Sequence, residues 1–508
     1  MPISTEIFKN SVWNFILFGS QVIFGLASSI IIARYLGPEL MGEYSYLVWL
    51  TGVITVFICL GFPKILTKFI SELTGSNNFD IAKAVFSKLV KIQFLISLLL
   101  TIILIFCFYF KFSYKIYYLI VFLTITPISI ATLFSATLQG LQSFKPISVI
   151  GSLISLLQFI LVIICIFLSK GLNELIAIPL LSGILHTYLL FRYLKKNDFS
   201  IKIAQQIPRE YIKKIFKYGA GFYLSLILTM IIWQKSEIFF LKIYSSSEEL
   251  AFYSLAFNIT TCLISIVFIF SAVIFPVFSK YYGEKDNQGI QNIYQKSIKA
   301  VILFYFPLAI IIIAVSRPLI NLMYSTEYLP VATLLIIMTV STFFPAIGNI
   351  SYNLILAVNR VDIQLKYTAL VAVLNIVLDF LLIPNYGSIG AALANSSVKI
   401  ISLPIWVMIT KRELGFQFPT KEIIPCLMAN FSLAFFLLLI GNKYPSLFGI
   451  FLVVVIALIV YPFLLLAFKA ITSDDIRIVK EIATVLPGYY EKKISKILDK
   501  IPVRKESS

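Results

Sequence analysis

The sequence predicts an all-α integral membrane protein of about 14 transmembrane helices, and three observations lead there. Of 508 residues, 59% are hydrophobic and only 13% are charged. The mean hydropathy is +0.94. The apolar residues gather into fourteen stretches of the roughly 20 residues that a bilayer core about 30 Å thick requires. A globular chain of this length covers its surface mostly with polar groups, which 42 Lys+Arg and 24 Asp+Glu are too few to do. The formal charge of +18 lies in short runs between apolar stretches, not in one aromatic-interleaved patch. It therefore reads as a topology signal, and no nucleic-acid partner is expected.

The first stretch, within MPISTEIFKNSVWNFILFGS, has one lysine, a Trp inside the apolar run and no small-residue cleavage site, so it reads as a span and not a signal peptide. The fourteen spans centre near Phe24, Val53, Leu99, Thr126, Leu157, Leu181, Met230, Ile264, Phe306, Val340, Val373, Val398, Ala434 and Val455. Pro127, Pro179, Pro276, Pro307, Pro345, Pro404 and Pro462 fall inside them. Within a bundle such prolines kink a helix without ending it. With a cytoplasmic N-terminus, the inner connections carry 33 of the Lys and Arg residues and the outer ones 7, with Lys235 and Lys399 inside the membrane. That bias puts both termini in the cytoplasm and the chain in the cell membrane as a multi-pass protein.

Two inner segments interleave basic and apolar residues, as helices lying on an anionic surface do: the connection Arg192 to Lys217 and the tail from Ile471. The tail serves either as a surface anchor or as a docking site. Sliding the sequence on itself by 209 residues matches Tyr35/Tyr244, Glu39/Glu248, Tyr44/Tyr253 and Ser45/Ser254, and an offset of 217 puts Gln158 over Asn375. Matches in order at nearly constant offset predict two pseudo-symmetric six-helix lobes related by an axis along the membrane normal. The expected organisation is an N-lobe over 1–197, a basic linker over 198–217, a C-lobe over 218–410, two further helices over 411–470 and a cytoplasmic tail over 471–508.

Several chemistries are excluded. The five cysteines lack CxxC spacing and lie in apolar stretches, His186 is the only histidine, and no GxxxxGK[ST] occurs. A disulfide framework, a zinc site, a catalytic dyad using any other His and a P-loop are therefore not expected. A glycosyltransferase or polymerase acting on polyprenyl sugars needs paired carboxylates in an outer loop. Only Glu248-Glu249 and Glu39/Glu43 qualify, each in a tight connection. No catalytic residue, metal ligand or enzyme activity is expected.

ARYLGPELMGEYS (Ala33 to Ser45), LGFPKILTKFISE (Leu60 to Glu72) and LNIVLDFLLIPNYGSIGAALA (Leu374 to Ala394) resemble the polysaccharide transporter branch of the MATE/MOP superfamily, which includes the Wzx-type oligosaccharide flippases. The resemblance implies a MATE/MOP-like fold and translocation of a polyprenyl-pyrophosphate-linked oligosaccharide by alternating access. In these motifs Gly37-Pro38 and Gly387 supply turns between hairpin spans, and Gly390-Ala391-Ala392 forms a small face for close helix approach.

An ionised side chain at mid-bilayer costs roughly 3 kcal/mol or more, so each intramembrane charge is a functional candidate. Lys235 and Glu237 lie in span seven, at a spacing that does not let them pair with each other. Asp379 lies toward the outer end of span eleven and Lys399 near the middle of span twelve, about 9 Å apart in depth, so they pair only if the lysine stretches outward. Lys235 and Lys399 are candidates for binding pyrophosphate or acidic sugars, with Arg34 at the outer mouth and Gln21, Ser28 and Asn258 as second-rank sugar contacts. Glu237 and Asp379 are candidates for coupling to H⁺ or Na⁺, with no other cofactor. The drug-exporting MATE relatives resemble the chain in a span-seven carboxylate, but span ten offers no matching acid. His186 is expected to be a hydrogen-bonded core residue. The expected partners are the lipid-linked glycan and glycan polymerase or glycosyltransferase machinery, with the chain a monomer. A cation-coupled exporter of drugs or other small molecules is the alternative.

Overall fold

A bilayer offers no partner to a backbone amide, so a spanning segment must close its own hydrogen bonds, and the helix is the economical way to do it. In the computed structural model the described residues are 3–111, 116–201, 207–208, 211–215, 219, 223, 236–358, 360–441, 446–473 and 475–476. Their regular elements are α1 (Ile3–Ile58), α2 (Phe62–Gly75), α3 (Phe79–Lys111), α4 (Ile116–Gly140), α5 (Phe144–Phe167), α6 (Leu172–Lys196), α7 (Ser236–Tyr244), α8 (Ser247–Gly283), α9 (Asn287–Ala314), α10 (Ser316–Met323), a 3₁₀ turn (Thr326–Tyr328), α11 (Pro330–Ala357), α12 (Val361–Leu414), α13 (Thr420–Gly441) and α14 (Leu447–Ala467).

Eleven of these helices are long and apolar enough to cross a membrane. Two carry two spans each. α1 breaks at Gly37, with φ 73° and ψ 172°, immediately before Pro38. α12 breaks at Gly387, with φ 53° and ψ −130°. The expected spans thus all have a helix except the seventh, centred near Met230, which lies outside the described residues apart from α7. Pro127, Pro179, Pro276, Pro307, Pro345 and Pro462 all sit within continuous helices, as expected. The chain is an all-helical, multi-pass membrane protein.

Two compact units emerge: Met1–Leu255 with Thr368–Ala391, and Ala256–Tyr367 with Ala392–Ser508. In the first, α4 packs against α2, α3 and α6, while α5 packs against α1 and α6. Its core gathers Leu66, Phe86, Phe134 and Leu190, with the Phe86 ring edge-on to Phe199 at 5.6 Å. Small polar side chains join these helices: Gln158 Nε2 donates to Ser182 Oγ at 2.7 Å, and Thr187 Oγ1 donates to the Pro127 carbonyl at 2.7 Å. Such bonds hold helices together where lipid removes the hydrophobic drive. In the second unit α9 packs on α11 and α13, and α13 on α14. There Tyr294, Tyr305 and Phe278 are buried with Ile298 and Ile350. Lys299, almost fully buried, is ion-paired with Asp475 just past α14, and Asp475 also accepts from the Thr472 backbone amide and hydroxyl.

The turn in α12 shows why glycine stands there. A positive φ is accessible to glycine at no steric cost. A Cβ on Gly387 would also fall 1.7 Å from Glu249 Oε2, the atom that accepts the Ser388 amide at 2.8 Å. Three residues on, a Cβ on Gly390 would lie 2.3 Å from the Leu382 carbonyl oxygen, and Ala391 and Ala392 are fully buried, so the expected small face is a close approach of the two arms. Gly415, at φ 76°, has open space around it. We expect Gly387→Ala to lower the detergent-solubilised melting temperature more than Gly415→Ala, because it adds a clash with Glu249 to the roughly 1–3 kcal/mol of backbone strain that both incur. Equal losses in a thermal size-exclusion assay would refute the Glu249 contact.

Candidate functional site

A buried polar cluster lies in the first unit, where the start of α7 meets the first arm of α12. Asn375 and Asp379 are one helical turn apart on α12 and so share a face. Glu237, Asn375 and Asp379 are each 0% exposed. Asn375 Nδ2 donates to Ser236 Oγ at 2.9 Å and to Asp379 Oδ2 at 3.2 Å, and lies 3.5 Å from Glu237 Oε1. Ser236 Oγ in turn donates to Asp379 Oδ2 at 2.8 Å. The hydroxyl of fully buried Tyr253, on α8, is within electrostatic reach of both carboxyl groups.

Asp379 Oδ1 and Asn375 Oδ1 are buried without a hydrogen-bond partner among the described residues. Two carboxyl groups this close and this dry cannot both ionise without a compensating charge. The described side chains Glu237, Asn375 and Asp379 bring more acceptor oxygens than donors. An oxygen-rich set of this kind suits a proton or a small hard cation and offers nothing to a soft metal. No group of three or more His, Cys, Asp or Glu gathers among the described residues.

Sequence reasoning named Glu237 and Asp379 separately and missed that they meet. It sought a second acid in span ten, whereas the acid beside Glu237 comes from span eleven. The i,i+4 spacing of Asn375 and Asp379 beside a second intramembrane acid was the signal available. The Asp379 carboxyl bonds Ser236 and Asn375 in the first unit, and in the second unit the Lys399 ammonium stands 5.8 Å over the Phe257 ring. Lys235 lies outside the described residues. Gln21 is exposed and Ser28 half-buried on α1, seven residues and two turns apart; Arg34 is exposed on the same helix. Asn258 is half-buried on α8. His186 is half-buried on α6 with Nε2 unbonded among the described residues, so the expected core hydrogen bond is absent at that nitrogen.

Two of the four acids in the short connections, Glu43 and Glu249, hold the fold together. Glu43 Oε1 accepts from Lys242 Nζ at 2.6 Å and from Ser247 Oγ at 3.2 Å, joining α1 to the α7–α8 turn. Lys242 also lies 5.0 Å over the Tyr46 ring. Glu249 holds the Ser388 amide of the α12 turn. The 35–45 and 244–254 segments matched by the internal repeat each contain a turn between consecutive helices.

The family of polysaccharide biosynthesis proteins matches residues 7–282, more than half of the chain, and the MatE family matches residues 222–381. The chain belongs to the polysaccharide biosynthesis protein family. Its similarity extends to an uncharacterized membrane protein of Methanocaldococcus jannaschii, 25% identical over 60% of this chain and 61% of that one. A probable low-salt glycan biosynthesis flippase of Haloferax volcanii is 21% identical over 46% of this chain and 50% of its own length. The putative O-antigen transporter of Shigella flexneri is 22% identical over 78% of this chain and 95% of that one. The chain therefore spans between half and two thirds of the two archaeal relatives and nearly all of the Shigella one. In fold it is similar to the lipid II flippase MurJ in an inward closed conformation, with a TM-score of 0.75 at 18% identity over 90% of this chain and 98% of that one. It is also similar to an inward-facing multidrug resistance MATE family transporter of the MOP superfamily, with a TM-score of 0.67 at 16% identity over 78% of this chain and 94% of that one. The expected membership of the polysaccharide transporter branch and the MATE/MOP-like fold both hold for this family member.

The hydrogen-bonded cluster makes a further demand on stability. Removing one partner of a buried polar pair costs about 1–3 kcal/mol, whereas replacing both by apolar groups is far milder. We expect Asn375→Leu to lower the thermal midpoint and the double variant Asn375→Leu/Asp379→Leu to recover part of the loss. A double variant less stable than the sum of the singles would refute the shared network.

Proposed function

We propose that the chain is a flippase that carries a polyprenyl-pyrophosphate-linked oligosaccharide from the cytoplasmic to the outer leaflet, for assembly of cell-surface polysaccharide or glycan. The observation that carries this reading is the polysaccharide biosynthesis family match running from the first span through the eighth. The printed roles of two relatives, a probable glycan biosynthesis flippase and a putative O-antigen transporter, support it. Transfer between leaflets makes and breaks no covalent bond. What it needs is a polar route for a headgroup that hydrocarbon excludes, compensating charge for the pyrophosphate, and a source of direction.

In this reading alternating access between two six-helix lobes supplies the route. Lys235 and Lys399 face the anionic headgroup, while Arg34, Gln21, Ser28 and Asn258 contact sugars. The excess of Lys and Arg in inner connections places both termini in the cytoplasm. There the tail and linker meet glycan polymerase or glycosyltransferase machinery, and the transporter works as a monomer.

Direction comes from the Glu237–Asp379 cluster as a coupling site for H⁺ or Na⁺. A bound cation would supply the positive charge that lets both carboxyl groups stay ionised. Asn375 and Ser236 hold Asp379 Oδ2, leaving Oδ1 and the Asn375 carbonyl oxygen aimed at whatever binds. The second reading, a cation-coupled exporter of drugs or other small molecules, is favoured by one observation, the MatE family match over residues 222–381, which contains this cluster.

The test is transbilayer movement of a fluorescent polyprenyl-pyrophosphate oligosaccharide in proteoliposomes under an imposed Na⁺ or H⁺ gradient. We expect movement in wild type, at least tenfold slower with Lys399→Ala. Glu237→Gln or Asp379→Asn should retain slow movement that no longer responds to the gradient. Gradient-driven ethidium efflux without oligosaccharide movement would move the assignment to the exporter reading.

A further inference from the structure

The first unit contains a cavity of about 390 Å³ unconnected with the acid cluster. Its walls are Ile65 of α2, Leu89, Ile92 and Ile96 of α3, and Ile212 and Ile215 of the segment that follows α6. Among the described lining residues one is charged, Lys88; it is exposed and has no ion-pair partner among the described residues. The cavity is built and not merely a loose contact, because its end is pinned. Tyr223 donates its hydroxyl to the Phe57 carbonyl at 2.9 Å. Gly219 comes so near Ile65 that an added Cβ would fall 2.6 Å from Ile65 Cδ1.

An occupant is required by the chemistry of the walls. Water in a cavity needs two to four polar partners, which these isoleucines and leucines do not offer. Left empty, the apolar walls forfeit dispersion contacts. Its volume lies within the range of sites that take small apolar ligands. In a membrane-spanning chain the hydrocarbon at hand is that of the bilayer itself, and the lone cation on the lining selects for a negative headgroup. Lys64 and Lys91, exposed on the same two helices, add to that preference.

We infer that this cavity holds one hydrocarbon chain of an anionic membrane lipid, with its phosphate at Lys88. The lipid is a resident of the fold, bound at a site separate from the Glu237–Asp379 cluster and irrespective of what the chain transports. It fills the space between α2, α3 and the post-α6 segment, so its loss loosens that segment.

Native mass spectrometry of the full chain, released from nanodiscs containing equal phosphatidylglycerol and phosphatidylethanolamine, tests this directly. Wild type is expected to retain one lipid through detergent washing, phosphatidylglycerol over phosphatidylethanolamine by at least about fivefold, the factor that one interfacial cation provides. Lys88→Glu should abolish the preference while leaving the protein folded, since that side chain is exposed. Ile92→Trp, which fills the cavity, should release the lipid. Retention that is the same in wild type and both variants would overturn the site, as would a wild type that keeps no lipid. Displacement of phosphatidylglycerol by equimolar undecaprenyl phosphate would overturn the assignment to a bilayer lipid and give the cavity to the substrate's chain.

Discussion

Hydrocarbon leaves a backbone amide nothing to bond to, and this constraint shapes every element of the protein. It forces each apolar stretch into a helix and confines turns to positions where the chain can afford an interruption. The two sharpest interruptions inside otherwise helical runs are at Gly37 and Gly387, where positive φ lets the backbone reverse without a Cβ in the way. At the second, Glu249 supplies the partner that the turn would lack, taking the Ser388 amide. A carboxylate near a helix start that looks free to do chemistry is thereby committed to holding a turn.

The same scarcity of partners explains the acid cluster. In water Glu237 and Asp379 would be ordinary surface acids. Buried in one cluster, they share Asn375 and Ser236 as described hydrogen-bond neighbours. Lys299 in the second unit is the contrasting case: an equally buried charge that is matched by Asp475 and so has no unmet demand. The Lys299–Asp475 pair fastens the chain beyond α14, whereas Glu237 and Asp379 bring like charges into one buried cluster.

Much of this was legible in the sequence. Span number and position follow from apolar stretches of bilayer length, and span centres read from hydropathy fall inside the helices wherever the chain is described. The turns at Gly37-Pro38 and Gly387 and the small face at Gly390 were readable because their chemistry is local. Glu237 and Asp379 were visible as intramembrane acids, but their meeting was not. They are separated by more than 140 residues, and pairing across that distance depends on which faces of two helices turn toward each other. Depth in the bilayer can be counted from sequence, but rotation about the helix axis cannot. His186 was expected to find a partner because most buried polar atoms do, yet Nε2 has none among the described residues.

By itself the sequence determined the solvent, the element type and the order of spans, because each depends on composition and on residues within about 20 positions of one another. It also carried the family, through short motifs at fixed spacing. Only the tertiary structure decided which charges are matched and which are not. It joined Glu43 to Lys242, gave Glu249 to a turn, brought Glu237 to Asp379 and left an apolar cavity beside Lys88. Hydrogen bonds and dispersion contacts reach only a few ångströms, so they exist only once distant helices have been packed.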